Sequence, residues 1–240
     1  MSLIRLDKFL SSQLNISRSD SKKLIKKGAV TVDGFVAKKA DDSIETERCK
    51  VIVSGKEIKY KEFIYLMLNK PKGIVSSTND NRDMTVIDLV PDEFKRNGLF
   101  PAGRLDKDTT GFVLITDNGD FAHNILSPSH HVKKTYLVEV ARKLTDDELY
   151  DFRNGMTVGD EWFKPSEINL FGVNKSNNNY IYEIKIVEGR YHQIKRMFAS
   201  KGNYVLELKR IAIGGLFLDE ELLPGELREL TDYEVDLIHK

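Results

Sequence analysis

Leu6, Phe9, Leu10 and Gln13/Leu14 recur at helical spacing, which predicts a short amphipathic helix at the start of the chain. Asn15-Ile16-Ser17 breaks the pattern. Ser17 or Ser19 then offers an N-cap for a second helix running through Lys27, with Gly28 as the residue that ends it. Only Leu24 and Ile25 are large apolar residues there. Val30-Thr31-Val32, Asp33-Gly34 and Phe35-Val36 read as a hairpin closed by a two-residue turn, and Val51–Val53 as another strand. Lys56 to Glu62 is polar and reads as a linker.

Beyond it the period changes. Phe63 to Leu68 is an apolar strand, Asn69 to Gly73 a turn, and Val75 resumes a strand that fades into the polar loop Ser76–Thr85. Gly111–Thr116 reads as a buried strand, followed by a helix capped by Asp117 or Asn118 and ending at Leu126. Thr135–Val140 alternates as a strand. Thr145 and Glu148 form a capping box that opens a helix toward Arg153. Strands are predicted near Ser166–Phe171 and Tyr180–Val187, a helix from about Tyr191 to Lys201 closed by Gly202, and a strand over Tyr204–Ile213. Strands outnumber helices without alternating βαβ, so the expected fold class is α+β with a mixed, mostly antiparallel sheet. The two parts are expected to be a small unit, residues 1–60 (two helices plus a small sheet), and a larger domain, residues 61–240.

The chain has 240 residues, 40% apolar and 31% charged, which excludes a disordered chain. Its formal charge of +0 conceals an asymmetry. Residues 1–61 carry 14 basic and 8 acidic side chains, residues 62–216 carry 21 of each, and residues 217–240 carry 2 basic and 8 acidic. A basic arm of this kind suits a polyanionic partner. The acidic end reads as a solvated face turned away from that partner. The single Cys49 fits a reducing compartment, charges interrupt any signal-like apolar core, and no apolar run reaches the roughly 18 residues of a membrane span. A cytoplasmic, monomeric protein with no membrane association is the expectation.

Arg5-Leu6-Asp7-Lys8-Phe9-Leu10, Ser17-Arg18-Ser19-Asp20 and the run Leu24 to Gly34 together resemble the S4 RNA-binding domain. The resemblance covers residues 3 to about 50. It implies that Arg5, Arg18, Lys22, Lys23, Lys26 and Lys27 contact RNA. The physics agrees, since clustered cations displace counterions from phosphates and structured RNA is read through shape and backbone.

Three further segments carry chemistry. They are Gly103-Arg104-Leu105-Asp106-Lys107-Asp108-Thr109-Thr110-Gly111, Lys133-Lys134-Thr135-Tyr136-Leu137-Val138, and Glu188-Gly189-Arg190-Tyr191-His192-Gln193-Ile194-Lys195-Arg196-Met197. In this order they resemble the pseudouridine synthases, and more closely the branch named after RsuA, whose members carry an S4 domain in front. The resemblance implies that a uridine is detached from its ribose at N1, rotated, and rejoined through C5. Breaking the glycosidic bond builds positive character at the sugar carbon, which a carboxylate can stabilise or attack. Asp106 is the carboxylate the resemblance places there. Whether it bonds to the sugar, bonds to the base or assists an elimination stays open. Arg104 is implied to hold the flipped nucleotide, Tyr136 to stack on the target base, and Arg190 and His192 to contact RNA.

Lys195 stands where much of the family carries arginine, so Lys195 and Arg196 both remain candidates for the cation beside Asp106. Ile194, Met197 and Phe198 mark a core stripe that Lys195 and Arg196 flank, so only one should face the site. Asp108 reads as a turn or cap residue. A glycosidase-like couple of Asp106 with Asp108 is rejected, because residues two apart share a direction only on a strand.

The isomerisation consumes no water, redox equivalent or phosphate, so neither cofactor nor metal is implied. His130 and His131 are adjacent and lack a spaced third ligand, which argues against a metal centre; His123 and His239 complete the histidines. The reading is uridine isomerisation in 16S small-subunit rRNA or a small-subunit assembly intermediate. That choice rests on Tyr191-His192 standing where the 23S-directed relatives usually carry Asn-Arg. The alternatives are a 23S rRNA enzyme of the same branch and a noncatalytic RNA-binding ribosome-assembly factor. A hydrolase of small nucleosides is disfavoured by the S4-like segment. The expected RNA surface is a local cationic track from Arg5 through Lys27 to Arg104, Arg190 and Lys195.

Overall fold

A computed structural model of the chain describes residues 3–127 and 130–239. The Cα positions group into two units, Met1–Ile64 with Pro91–Leu99, and Tyr65–Val90 with Phe100–Lys240. Residues 61–64 and 91–99 thus fold with the N-terminal part, whereas the sequence suggested a single break after residue 60.

The first unit contains β1 (Leu3–Arg5), α1 (Leu6–Leu14), α2 (Arg18–Lys26), β2 (Val30–Val32), β3 (Phe35–Val36), β4 (Ser43–Glu45), β5 (Val51–Val53) and β6 (Lys56–Ile58). β1 pairs with β4, and a four-stranded sheet runs β3-β2-β5-β6. Leu6, Phe9, Leu10, Ile25, Val30 and Val51 form its buried core. Asn15 ends α1 in the left-handed conformation (φ 52°). The Ser17 hydroxyl accepts from the Asp20 N–H at 3.0 Å, an N-cap that stabilises a helix by about 1 kcal/mol. Gly28, at φ 70°, lets the chain leave α2. Ser21 and Ile25 face the core, so Arg18, Lys22, Lys23, Lys26 and Lys27 are left in solvent. Asp33 and Gly34 both take positive φ, the requirement of a type I′ hairpin turn.

The linker expected at 56–62 is corrected in part. Ser54 and Gly55 repeat the positive-φ turn, and β6 folds back on β5 as an edge strand, Val51 opposite Ile58. A polar edge strand satisfies its backbone on one side only, so it lacks the apolar pattern that sequence reading looks for.

The second unit contains β7 (Tyr65–Lys70), β8 (Phe100–Ala102), β9 (Thr110–Thr116), α3 (Gly119–Leu126), β10 (Lys134–Val140), α4 (Asp146–Asn154), β11 (Met156–Val158), β12 (Glu161–Phe163), β13 (Glu167–Val173), β14 (Tyr180–Ile186), α5 (Gln193–Ser200), β15 (Val205–Ile213), β16 (Leu216–Phe217), β17 (Leu227–Glu229) and α6 (Asp232–Leu237). The main sheet runs β13-β14-β10-β15-β9-β7-β17, with β16 on β15 and β8 on β9. It is antiparallel except where β15 meets β9 in parallel, Arg210 opposite Gly111. The fold class is therefore the α+β arrangement with a mixed, mostly antiparallel sheet.

Met67, Phe112, Leu114, Phe121, Ile125 and Ile213 form the core on one side; Phe152, Tyr182 and Phe198 pack against one another elsewhere, with ring centroids at 4.8 and 6.3 Å. The capping box of α4 is present, Thr145 N donating to Glu148 at 2.8 Å and Glu148 N to the Thr145 hydroxyl at 3.3 Å.

One expectation fails here and another holds only in part. β7 continues through Asn69 and Lys70, which pair with Phe112 and Gly111, where a turn was expected. Tertiary partners override the polar composition: the Asn69 amide donates to the Leu222 carbonyl at 2.8 Å. The acidic end has a solvated acidic face, but its apolar residues are part of the core. Leu218, Leu230 and Ile238 are buried in the core, and β17 adds an edge to the sheet. Asp219 and Glu234 pair with Arg228, at 2.6 Å and 2.7 Å, while Glu220, Glu221, Glu226, Asp232 and Asp236 are exposed. Lys240 lies outside the described residues.

Candidate active site

The loop between β8 and β9 carries Arg104 to Thr109, and it is pinned from below. Lys70, fully buried, donates from Nζ to the carbonyls of Thr109 (2.8 Å), Pro71 (3.1 Å) and Lys107 (3.2 Å). Burial pulls the Lys70 ammonium down to about 8, against the opposing pull of Asp108 and Asp106. Leu105 N donates to the Ser76 hydroxyl at 3.1 Å, and Gly73 N to the Lys107 carbonyl at 2.8 Å. Gly111, at φ +96°, lies so close to the Arg210 carbonyl that a Cβ there would collide with it. Arg210 is itself buried and donates from Nε to the Phe112 carbonyl at 2.7 Å. These bonds hold the loop backbone at Leu105, Lys107 and Thr109, and the Asp106 side chain lines a cleft.

That cleft encloses about 420 Å³ of atom-free space open to solvent, and Arg104, Asp106, Tyr136, Arg190, His192 and Lys195 line it. Lys195 Nζ lies 2.9 Å from Asp106 Oδ2 and 2.6 Å from Asp108 Oδ1. Burial lowers the Lys195 pKa, but the hydrogen bonds to Asp108 and Asp106 outweigh it and the net shift is upward. The same lysine holds the Asp108 carboxyl below the ordinary carboxylate range. His192 Nε2 stands 3.4 Å from Asp106 Oδ1. Arg196 turns instead to Glu161 and lies over the Phe163 ring, 5.1 Å from its centroid. α5 buries Ile194, Met197 and Phe198, so of the two flanking cations Lys195 meets Asp106.

Tyr136 is nearly buried on β10, opposite Ile184 on one side and Arg210 on the other. Arg104 is exposed at the cleft. Arg190 is held by carboxylates, Nε 3.4 Å from Glu188 and Nη1 3.7 Å from Glu161. In the first unit Arg5 is engaged by the buried Asp7, Nη2 to Oδ2 at 2.8 Å, and Lys23 by Asp20 at 2.7 Å. Among the described residues no group of three or more potential ligands could hold a metal ion.

Sequence reading missed the position of Asp108. The geometric ground for separating it from Asp106 fails, because the loop turns back on itself (Thr109 N to the Asp106 carbonyl, 3.1 Å) and both carboxylates reach one ammonium. It also missed Lys70 and Arg210. A lysine closing an apolar run just before Pro71 was the available signal for Lys70.

An S4-like unit and an α+β domain whose cleft presents a clasped carboxylate beside an aromatic ring define an RNA-modifying enzyme. A sequence model of the S4 domain matches residues 4–47, and one of the RNA pseudouridylate synthases matches residues 64–200. The chain belongs to the RNA pseudouridylate synthase family and is a pseudouridine synthase acting on RNA. It is 42% identical over 235 residues to the ribosomal small subunit pseudouridine synthase A of Escherichia coli (strain K12), covering 97% of this chain and 98% of that one. It is 43% identical over 238 residues to the RNA pseudouridine synthase YtzG of Bacillus subtilis (strain 168), covering 99% of each. A solved pseudouridylate synthase is similar over 98% of this chain and 99% of its own, with a TM-score of 0.66 at 36% identity. No described helix is long and apolar enough to cross a membrane.

Proposed function

We propose that this chain isomerises one uridine of 16S small-subunit rRNA, free or in a small-subunit assembly intermediate, with Asp106 as the catalytic carboxylate. The observation that carries the reading is the Asp106 side chain in the cleft, clasped by Lys195 and flanked by His192 and Tyr136. Similarity along the whole chain to a small-subunit enzyme supports the choice of 16S rRNA.

A uridine inside a stem cannot offer its glycosidic bond to a carboxylate, so the nucleotide is extruded into the cleft. Tyr136 stacks on the uracil, and Arg104 holds the backbone through its phosphate. The N1–C1′ bond breaks, the uracil turns, a C5–C1′ bond forms, and the proton leaving C5 balances the one gained at N1. The Lys195 ammonium, 2.9 Å from Asp106 Oδ2, orients the carboxylate beside the centre where positive charge develops. The first unit grips the RNA through Arg5, Arg18, Lys22, Lys23, Lys26 and Lys27, the second performs the chemistry, and the enzyme works as a monomer.

The test is to incubate the protein with unmodified rRNA, derivatise pseudouridine with a carbodiimide and map the stops by primer extension. A single new stop in 16S rRNA is expected. Stops confined to 23S rRNA would overturn the target, and no stop on any rRNA or assembly intermediate would favour a noncatalytic RNA-binding role. Asp106→Asn should abolish the product and keep RNA affinity; retained turnover would remove Asp106 from the chemistry.

A further inference from the structure

The segment leading into α5 carries an aromatic ring stacked on His192, a residue that lines the cleft. Tyr191 is 77% exposed, yet one face of its ring stacks on the His192 imidazole, with centroids 3.9 Å apart and planes 16° from parallel. The opposite face is left to solvent. A lone exposed aromatic is ordinary on a protein surface. What sets this one apart is its mounting.

His192 is in the left-handed conformation, φ 48°, and its Nε2 reaches Asp106. The residue after it, Gln193, is buried. It accepts the Arg190 N–H at 3.2 Å and donates to the buried Glu188 at 3.0 Å. Glu188 in turn accepts the Lys164 N–H at 2.9 Å. Both ends of the segment are therefore tied into a buried hydrogen-bond framework, and the ring pair is held in place before any ligand arrives. Pre-ordering of this kind lowers the entropic cost of binding.

We infer that the solvent face of Tyr191 is a stacking platform for a nucleobase adjoining the one that enters the cleft. The inference rests on the RNA reading above and names a binding residue within it. Extruding a uridine leaves a neighbouring base with an uncovered face, and an aromatic side chain beside the cleft-lining His192 replaces the lost stacking. The arginines around the cleft, Arg104 and Arg190, suit the phosphates on either side of such a base. The Tyr191–His192 pair also couples the platform to the catalytic site, because the imidazole carrying the tyrosine faces Asp106.

The experiment compares wild type with Tyr191→Ala, Tyr191→Leu and Tyr191→Phe, measuring affinity for an unmodified 16S rRNA transcript and the single-turnover rate of pseudouridine formation. Thermal melting checks that the variants fold. Stacking predicts a loss of affinity of roughly five- to a hundredfold for Ala. It predicts a comparable loss for Leu, which keeps apolar bulk without a π face, and recovery to within about twofold for Phe. Melting temperatures should be unchanged, since the ring covers little of the core. Ala within about twofold of wild type would overturn the platform, as would Leu rescuing as well as Phe. Affinity reads the platform independently of turnover. Wild-type protein that binds the transcript without making pseudouridine would sink the proposed function while still testing Tyr191. Wild-type protein that converts uridine while the Ala variant binds normally would sink the platform alone.

Discussion

Lys195→Met keeps the aliphatic stem and removes the ammonium that stands 2.9 Å from Asp106 and 2.6 Å from Asp108. At about 3 Å a pair of unit charges attracts by about 5 kcal/mol at an effective dielectric of about 20. Solvent reaches 24% of the lysine side chain and 30% of the Asp106 side chain, so screening reduces the net effect to roughly 2–4 kcal/mol. If the ammonium acts by supporting the carboxylate during bond cleavage, that amount appears in the chemical step as a roughly thirty- to thousandfold fall in single-turnover rate. RNA affinity should stay close to wild type. Lys195→Arg should recover to within about tenfold of wild type, because a guanidinium fork can serve both carboxylates. The assay is enzyme in excess over a 16S rRNA transcript, with product followed by carbodiimide mapping and affinity measured separately. A methionine variant within about threefold of the wild-type rate would refute the reasoning. So would one that loses affinity and rate in equal measure, which would make Lys195 an RNA contact.

Reversing Lys22, Lys23, Lys26 and Lys27 to Glu should weaken RNA binding and flatten its salt dependence, because fewer counterions are released per complex; an unchanged slope would remove α2 from the interface. Gly111→Ala forces a Cβ against the Arg210 carbonyl at φ +96° and should cost roughly 2–5 kcal/mol from strain and overpacking, read by chemical denaturation; a stability within about 0.5 kcal/mol of wild type would contradict the close approach of β9 and β15. The Glu234 carboxyl is held down to about 2, chiefly by its hydrogen bonds from Arg228, against an ordinary value of 4.5. Its stabilising contribution is therefore complete above about pH 4.5 and is lost as pH falls toward about 2. Glu234→Gln should flatten that part of the stability–pH curve, and curves of identical shape would show that the pair contributes nothing.

What the sequence by itself determined was local. The Ser17 cap, the Gly28 stop, the Asp33-Gly34 turn and the Thr145–Glu148 capping box each depend on residues within about four positions of one another, and the structure has all of them. Helical periodicity around Ile194, Met197 and Phe198 also implied that only one of Lys195 and Arg196 could turn to Asp106. The tertiary structure decided which one, because the partners are remote: Lys195 lies 87 positions from Asp108, and Glu161, which takes Arg196, sits on a hairpin that no periodicity announced. The same reason explains Lys70 and the acidic C-terminal stretch. A polar residue at a strand end or along an edge looks like a loop until its distant partner is known. Lys70 found the carbonyls of the Asp106 loop, and Leu227–Glu229 found β7. Local hydrogen bonds and backbone preferences are written in neighbouring residues, whereas the pairing that positions Asp106 exists only once the sheet has brought distant segments together.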